Sequence, residues 1–274
     1  MSHLTDTSPE ASRVLTEVYR KMPIVRKWLM LGRDYRTLRL LHAAGFRLRH
    51  GGTSPTEVLQ DWLAINYGRG AAEEIRGPAL DIQDADSLRI VGEVAAIFSR
   101  LQIPYALGGS MASSVYGITR PTRDADITVE PFAGLEAEFA ASFSPDYYLS
   151  LPAIRDAVAR RSSFNIISTT TGFKIDVFVR KDRAFEESAM NRRCEIALPD
   201  DPGQPIALHS AEDVILFKLE WYRLSDESLD RQWTDVLGML RVQGAGLDMA
   251  YLEHWSSELK VDDLLQRART EAGS

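Results

Sequence analysis

The sequence predicts an α+β fold: a small mixed β-sheet core with a helical C-terminal tail, preceded by a small all-α N-terminal module. Three observations predict it. Residues 9–67 carry helical periodicity throughout. From about residue 87 short β-type apolar runs alternate with helical segments. From about Ser210 onward only helical periodicity remains. The expected organisation is a helical module over 1–68, a linker over 69–86, a core over 87–209 and a helical subdomain over 210–274.

In the first module Ser8 is a candidate N-cap with Pro9 at the first helical position. Val14, Leu15, Val18, Met22, Val25 and Leu29 follow helical spacing, and Pro23 should break the helix. A second pattern runs from Tyr35 to about Phe46. Gly51–Gly52 makes a turn, and Ser54–Pro55 opens a third helix through Val58, Leu59, Trp62 and Ile65. Such a core is marginal alone. The run 68–86, rich in glycine and charge, reads as the linker.

In the core, Leu88–Arg100 is an amphipathic helix ended by Pro104. A strand over Tyr105–Leu107 runs into Gly108–Gly109, and a helix restarts over Met111–Tyr116. Strands are expected at Asp124–Val129 and Tyr147–Leu149, and as a pair at Ser163–Ser168 and Gly172–Arg180 across the turn TTTG. Helices are expected near Leu135–Phe143 and Ala153–Arg160, then at 211–223, 227–241, 248–258 and 261–270.

Hydrophobic residues make up 45% of the 274 residues and charged residues 26%, the balance of a soluble globular protein. Cys194 is the only cysteine, so no internal disulfide can form. The N-terminal residues lack the basic-then-apolar pattern of a signal peptide, and no run approaches the roughly 18 apolar residues of a membrane span. A cytoplasmic protein without membrane contact is expected. Residues 1–68 hold ten Lys/Arg against six Asp/Glu, net +4, so the remainder of the −7 chain is net −11. The acidic part argues against a broad nucleic-acid surface there. The basic part could touch nucleic acid or dock on its acidic neighbour, and docking is favoured.

The chemistry concentrates in GGSMASSVYGITRPTRDAD, residues 108–126. Gly108, Gly109 and Ser110 lie between a strand and a helix start, where free N–H groups, a hydroxyl and the absence of Cβ atoms suit a phosphate. Thirteen residues separate Ser110 from Asp124. Asp124 and Asp126, two apart on a strand, share one face at about 6.5–7 Å. Asp176 interrupts the apolar strand FKIDVFV, where an ionised carboxylate needs a metal or a cation. Three converging carboxylates suit two Mg²⁺ ions about 3.5–4 Å apart. Taken singly, each motif has a plain structural reading: a turn, an edge-strand surface pair, a salt-bridged acid. The five histidines form no metal-ligand spacing, and His209 is read as the residue before a helix N-cap at Ser210.

The pattern GGS-x13-DAD followed by a strand aspartate resembles the nucleotidyltransferase-fold superfamily shared with polymerase β-like enzymes. Within it the run looks like the AbiEii/MenT-type nucleotidyltransferases of bacterial toxin–antitoxin and phage-defence systems. Those carry an Arg-x-Thr/Ser-x-Asp-x-Asp run, matched by Arg120, Thr122, Asp124 and Asp126, then a helix lysine and an aspartate on the next helix, matched by Lys218 and Asp235. The resemblance covers roughly residues 87–240. It implies Mg²⁺-dependent transfer of a nucleoside monophosphate from ATP or another NTP to a hydroxyl, with release of pyrophosphate. The acceptor would be tRNA or a protein. By that resemblance Gly108, Gly109 and Ser110 bind phosphates, while Asp124 and Asp126 bind metal. Asp176 helps metal binding or accepts the proton, Lys218 contacts the triphosphate and Asp235 helps place the nucleotide. Arg120 and Arg123 bind phosphate or pair with aspartates.

Lys218 also reads as a solvated helix charge, Asp235 as a partner of Arg231, and Trp221, Tyr222 and Trp233 as core. Two other functions stay open: a small-molecule, aminoglycoside-type nucleotidyltransferase, and a nucleotide-binding or antitoxin-like regulatory module without turnover. The N-terminal module would then be a fused partner that restrains or aims the site.

Overall fold

The computed structural model describes residues 8–75, 86–197 and 205–273. Helix α1 (Pro9–Lys21) starts where expected: the Ser8 hydroxyl accepts the Ala11 N–H at 3.2 Å, with Pro9 in the first turn. Pro23 separates it from α2 (Ile24–His50), which runs four residues past the expected end. A capping box between Ser54 and Glu57 opens α3 (Pro55–Tyr67). The expected linker begins instead with a helix, α4 (Arg69–Glu74). Ala72 in it and the adjoining Ile75 are buried with Leu59, Leu63 and Ile167, an apolar content that outweighs the glycines. The rest of that stretch, 76–85, lies outside the described residues.

The second unit runs α5 (Ser87–Arg100), β1 (Tyr105–Leu107), α6 (Gly109–Tyr116), β2 (Asp124–Val129), α7 (Glu136–Ala141), β3 (Tyr147–Tyr148), α8 (Leu151–Arg160), β4 (Ser163–Ser168) and β5 (Lys174–Val179). It continues with α9 (Ala184–Asn191), β6 (Cys194–Ile196) and β7 (Ile206–Leu208). The helical tail is α10 (Ala211–Leu224), α11 (Asp230–Gln243), α12 (Met249–Glu258) and α13 (Asp262–Ala272). The sheet is mixed, with order β3-β4-β5-β2-β1-β7-β6. β2–β5 and β1–β7 are parallel and the other pairs antiparallel. This is the expected α+β architecture. The sequence pattern does not reveal α9, β6 and β7: the two strands are three residues each, too short for a period to register.

One apolar core runs from Trp28, Leu31 and Tyr35 of α2, through the sheet, to Leu264 and Ala268 of α13. The N-terminal helices therefore share the core of the sheet unit. Their attachment is also polar. The Tyr35 and Tyr67 hydroxyls donate to the carbonyls of Thr171 and Gly172, in the turn between β4 and β5. The Arg20 guanidinium donates to the Arg241 carbonyl at the end of α11. In the first helical pattern burial falls on a different stripe from the one the sequence selects. Val14, Leu15, Val18, Val25 and Leu29 are exposed, and Tyr19, Trp28 and Leu31 carry the packing, joined by Tyr35, Val58, Leu59 and Trp62 of the second and third patterns. The helical period is right, but a period does not say which face meets the core. For the same reason Trp221 is 52% exposed rather than core, whereas Tyr222 and Trp233 are buried and stacked 5.3 Å apart.

Candidate active site

β2 and β5 pair in parallel with Asp126 opposite Asp176 and Asp124 opposite Lys174. Both strands alternate half-buried and buried positions. The carboxylates occupy the half-buried face, and Ala125, Ile127, Ile175 and Val177 enter the core. All three acids thus stand side by side on one face. Asp176, expected as a buried acid in an apolar strand, lies on the more open side of that strand and is paired: its Oδ2 is 2.6 Å from Lys174 Nζ. Thr122 Oγ1 donates to Asp124 Oδ1 at 2.9 Å.

The glycine turn closes over this face. The Gly108 N–H donates to the Asp126 carbonyl at 2.8 Å, and Gly109 has φ +54°. A Cβ on Gly109 would lie 1.7 Å from Asp126 Oδ2 and 2.5 Å from its Cγ. Only glycine fits, both for the backbone conformation and for the approach to the carboxylate. We expect Gly109→Ala to destabilise the fold by about 2 kcal/mol and to displace Asp126. Chemical denaturation together with NTP titration checks this; wild-type values in both would contradict the close approach.

Charge crowding sets the properties of Asp126. Burial, then the charges of Asp124 and Asp176, push its carboxyl from 3.8 up to about 6, against the pull of Lys218 and Lys174. Burial also raises Asp176, against the hydrogen bond from Lys174. The three carboxylates together thus concentrate more negative charge than their surroundings favour, a charge that a divalent cation would relieve. The donor set, three oxygen-bearing carboxylates on one face, fits the hard-cation chemistry of Mg²⁺. Among the described residues, however, no three His, Cys, Asp or Glu side chains already converge closely enough to hold a metal. The three acids share a face without being drawn into a cluster.

A second group, built on α6, α10 and α11, adjoins the turn. Arg120 Nε and Nη2 donate to the two Asp235 oxygens at 2.7 and 2.8 Å, and Arg120 Nη2 also donates to Ser110 Oγ at 2.7 Å. Lys218 Nζ donates to Asp235 Oδ2 at 2.7 Å and to Gln232 Oε1 at 2.9 Å, and Ser113 Oγ donates to Asp235 at 3.2 Å. Lys218 is 3% exposed, so it is no solvated helix charge; Asp235 pairs with Arg120 and Lys218, not with Arg231. Burial acts to raise the Asp235 carboxyl, but the Arg120 hydrogen bonds and the Lys218 charge outweigh it and hold it below its usual value. Burial lowers Lys218, with Asp235 opposing.

Ten of the residues singled out in the sequence therefore fall into two adjoining groups, and Arg123 stands apart, bonded to Asn66 rather than to an aspartate. Gly108, Gly109, Thr122, Asp124, Asp126 and Asp176 form one; Ser110, Arg120, Lys218 and Asp235 form the other. Sequence reasoning missed Lys174, Ser113 and Gln232. Lys174 had a signal, since it stands two residues from Asp176 and so on the same strand face. The N-terminal module also reaches the site: Arg123 Nη1 donates to Asn66 Oδ1 at 2.7 Å, and Lys174 Nζ lies 5.7 Å from the centre of the Tyr67 ring. His209, which precedes the N-cap Ser210 as expected, is buried with its imidazole held near 4 by burial.

No protein-family model and no curated protein matches the chain. Among solved structures, an antigenic nucleotidyltransferase-like protein from Paracoccidioides brasiliensis is 18% identical. The alignment covers 63% of this chain and 91% of that one, with a TM-score of 0.39. The antibiotic-resistance factor ANT(2'')-Ia is 17% identical over 67% of this chain and 92% of its own, with a TM-score of 0.36. Superpositions this loose carry no functional weight. No helix among the described residues is long and apolar enough to cross a membrane.

Proposed function

We propose that the protein is a Mg²⁺-dependent nucleotidyltransferase that moves a nucleoside monophosphate from an NTP to an acceptor hydroxyl and releases pyrophosphate. The observation that carries the reading is the alignment of Asp124, Asp126 and Asp176 on one sheet face, beneath a turn whose Gly109 has no room for a side chain against Asp126. Asp124, Asp126 and Asp176 would hold the metal. When bound, Mg²⁺ supplies charge neutralisation for the attacking and leaving oxygens.

The protein's own residues do the rest. The free amides at the start of α6 and the Ser110 hydroxyl receive phosphate oxygens, with the Arg120 guanidinium held behind them. Asp235 fixes Arg120 and Lys218 as two cations on the phosphate side of the carboxylates. In the transfer, the acceptor oxygen bonds to the α-phosphorus, the bond to the pyrophosphate oxygen breaks, and the acceptor's proton passes to a carboxylate, for which Asp176 is the candidate. The match of Arg120, Thr122, Asp124, Asp126, Lys218 and Asp235 to the AbiEii/MenT pattern favours a macromolecular acceptor, tRNA or protein, in a toxin–antitoxin or phage-defence setting and in the cytoplasm.

Pyrophosphate release compared with NTP binding by calorimetry tests the reading. Release that depends on both Mg²⁺ and an acceptor is expected; binding without release under any condition favours the nucleotide-binding module instead. The reaction should also follow the ionisation of Asp126, which must be a carboxylate to hold a metal. At limiting Mg²⁺ activity therefore falls as the pH drops below about 6, and added Mg²⁺, by favouring the carboxylate, moves the fall to lower pH. Stability of the metal-free protein runs the other way. The folded carboxyl binds its proton more tightly than the unfolded one, so stability declines as pH rises from 3.8 to about 6. A pH–rate profile and a metal-free denaturation series should show these opposite trends.

A further inference from the structure

One cation in the carboxylate group has no part in the scheme above. Lys174 stands opposite Asp124 in the β2–β5 register, and its ammonium lies 2.6 Å from Asp176 Oδ2. The side chain is largely buried, at 20% exposure. On its other flank is the Tyr67 ring, whose centre is 5.7 Å from Nζ and whose hydroxyl is tied to the Gly172 carbonyl at 2.9 Å. The ring's negative face attracts the ammonium, and the hydrogen bond keeps the ring where it is. Tyr67 ends α3, so the N-terminal module forms one side of this cage.

We propose that Lys174 is a built-in counter-ion of the metal site: clamped between Asp176 and the Tyr67 ring, it fills the carboxylate group when no divalent ion is present, and a metal binds by competing with it. The inference rests on the nucleotidyltransferase reading for the metal itself, and it goes further by giving the N-terminal module a role at the site. It accounts for how three acids can stand side by side on one sheet face. An unpaired carboxylate there would be costly, and Lys174 neutralises the one nearest to it. It also makes metal affinity depend on how firmly Tyr67 holds the ammonium. Lys174 is thus a positioning residue that acts through Asp176.

The test is Mn²⁺ binding to the full-length protein, followed by the loss of the free-ion electron paramagnetic resonance signal, without NTP. Lys174→Met removes a like charge next to a divalent site and should tighten Mn²⁺ binding about tenfold or more. Lys174→Arg should stay near wild type. Tyr67→Leu, which stays apolar but loses the ring and the hydroxyl bond to Gly172, should tighten binding by a smaller factor. Asp126→Asn should abolish it. Unchanged or weaker binding in Lys174→Met, with Asp126→Asn still silent, overturns the counter-ion proposal and leaves the metal reading standing. Wild-type protein that binds no Mn²⁺, or an Asp126→Asn variant that binds it as well as wild type, overturns the metal reading and this proposal with it. Should Lys174→Met fail to fold, Tyr67→Leu carries the test: an affinity equal to wild type overturns the clamp.

Discussion

Asp235→Ala is expected to destabilise the protein by about 3–5 kcal/mol, the cost of removing one partner from a buried ion group. Arg120 and Lys218 would lose their shared carboxylate, and Lys218, with its head buried, could not recover the loss by hydration. Two positive charges would then face each other without the anion that separates them. The same change frees Arg120 from its position behind Ser110, so NTP affinity falls along with stability. Urea denaturation measures the first effect and calorimetry the second. Asp235→Asn separates them, since it keeps the shape and loses the charge. A variant that unfolds at the wild-type urea concentration would show that the network contributes nothing net. Wild-type NTP affinity in a folded variant would remove Arg120 from the phosphate site.

The second large effect is on turnover. Asp126→Asn should cost about 4 kcal/mol of transition-state stabilisation, roughly a thousandfold in rate, because the central carboxylate of the proposed metal site is lost. The fold should not suffer. In the ion-free protein the Asp126 charge is opposed by burial and by Asp124 and Asp176, so a neutral amide relieves repulsion. At neutral pH without metal, the variant should melt no lower than wild type. Loss of activity with a retained melting temperature is the signature of a residue held in place at a cost to stability. Retained activity would remove Asp126 from the chemistry.

How far the sequence revealed this site depends on which kind of contact made each part. The strand over Asp124–Val129 and the strand around Asp176 were legible from their alternation, and two-residue spacing correctly placed Asp124 and Asp126 on one face. Which strand lies beside β2 is a long-range fact, and the opposition of Asp126 and Asp176 could not be read from spacing. Gly109 was legible as a turn; its contact with Asp126 was not, since only the folded pairing brings the two together. Lys218 and Asp235 were found through a family pattern. Their burial and their joint hold on Arg120 belong to tertiary packing. The N-terminal helices were plain from caps and period, and so was Tyr35 in the second pattern, yet the exposed stripe of α1 was not. A face is chosen by its neighbour, and for α1 the neighbour is α11, far away in the chain. The helix at the start of the expected linker was hidden for a similar reason. Glycine and charge outnumber Ala72 and Ile75 in composition, but those two residues find a pocket against Leu59 and Leu63.

Transfer of a nucleotide by the carboxylate face and the glycine turn is tested most directly by incubating the purified protein with each α-³²P-labelled NTP, with and without Mg²⁺, in a bacterial extract resolved into RNA, protein and small-molecule fractions. Mg²⁺-dependent label is expected in one fraction, RNA or protein, with wild type and none with Asp126→Asn. Label in none of the fractions with any NTP, or equal label from Asp126→Asn, would contradict it.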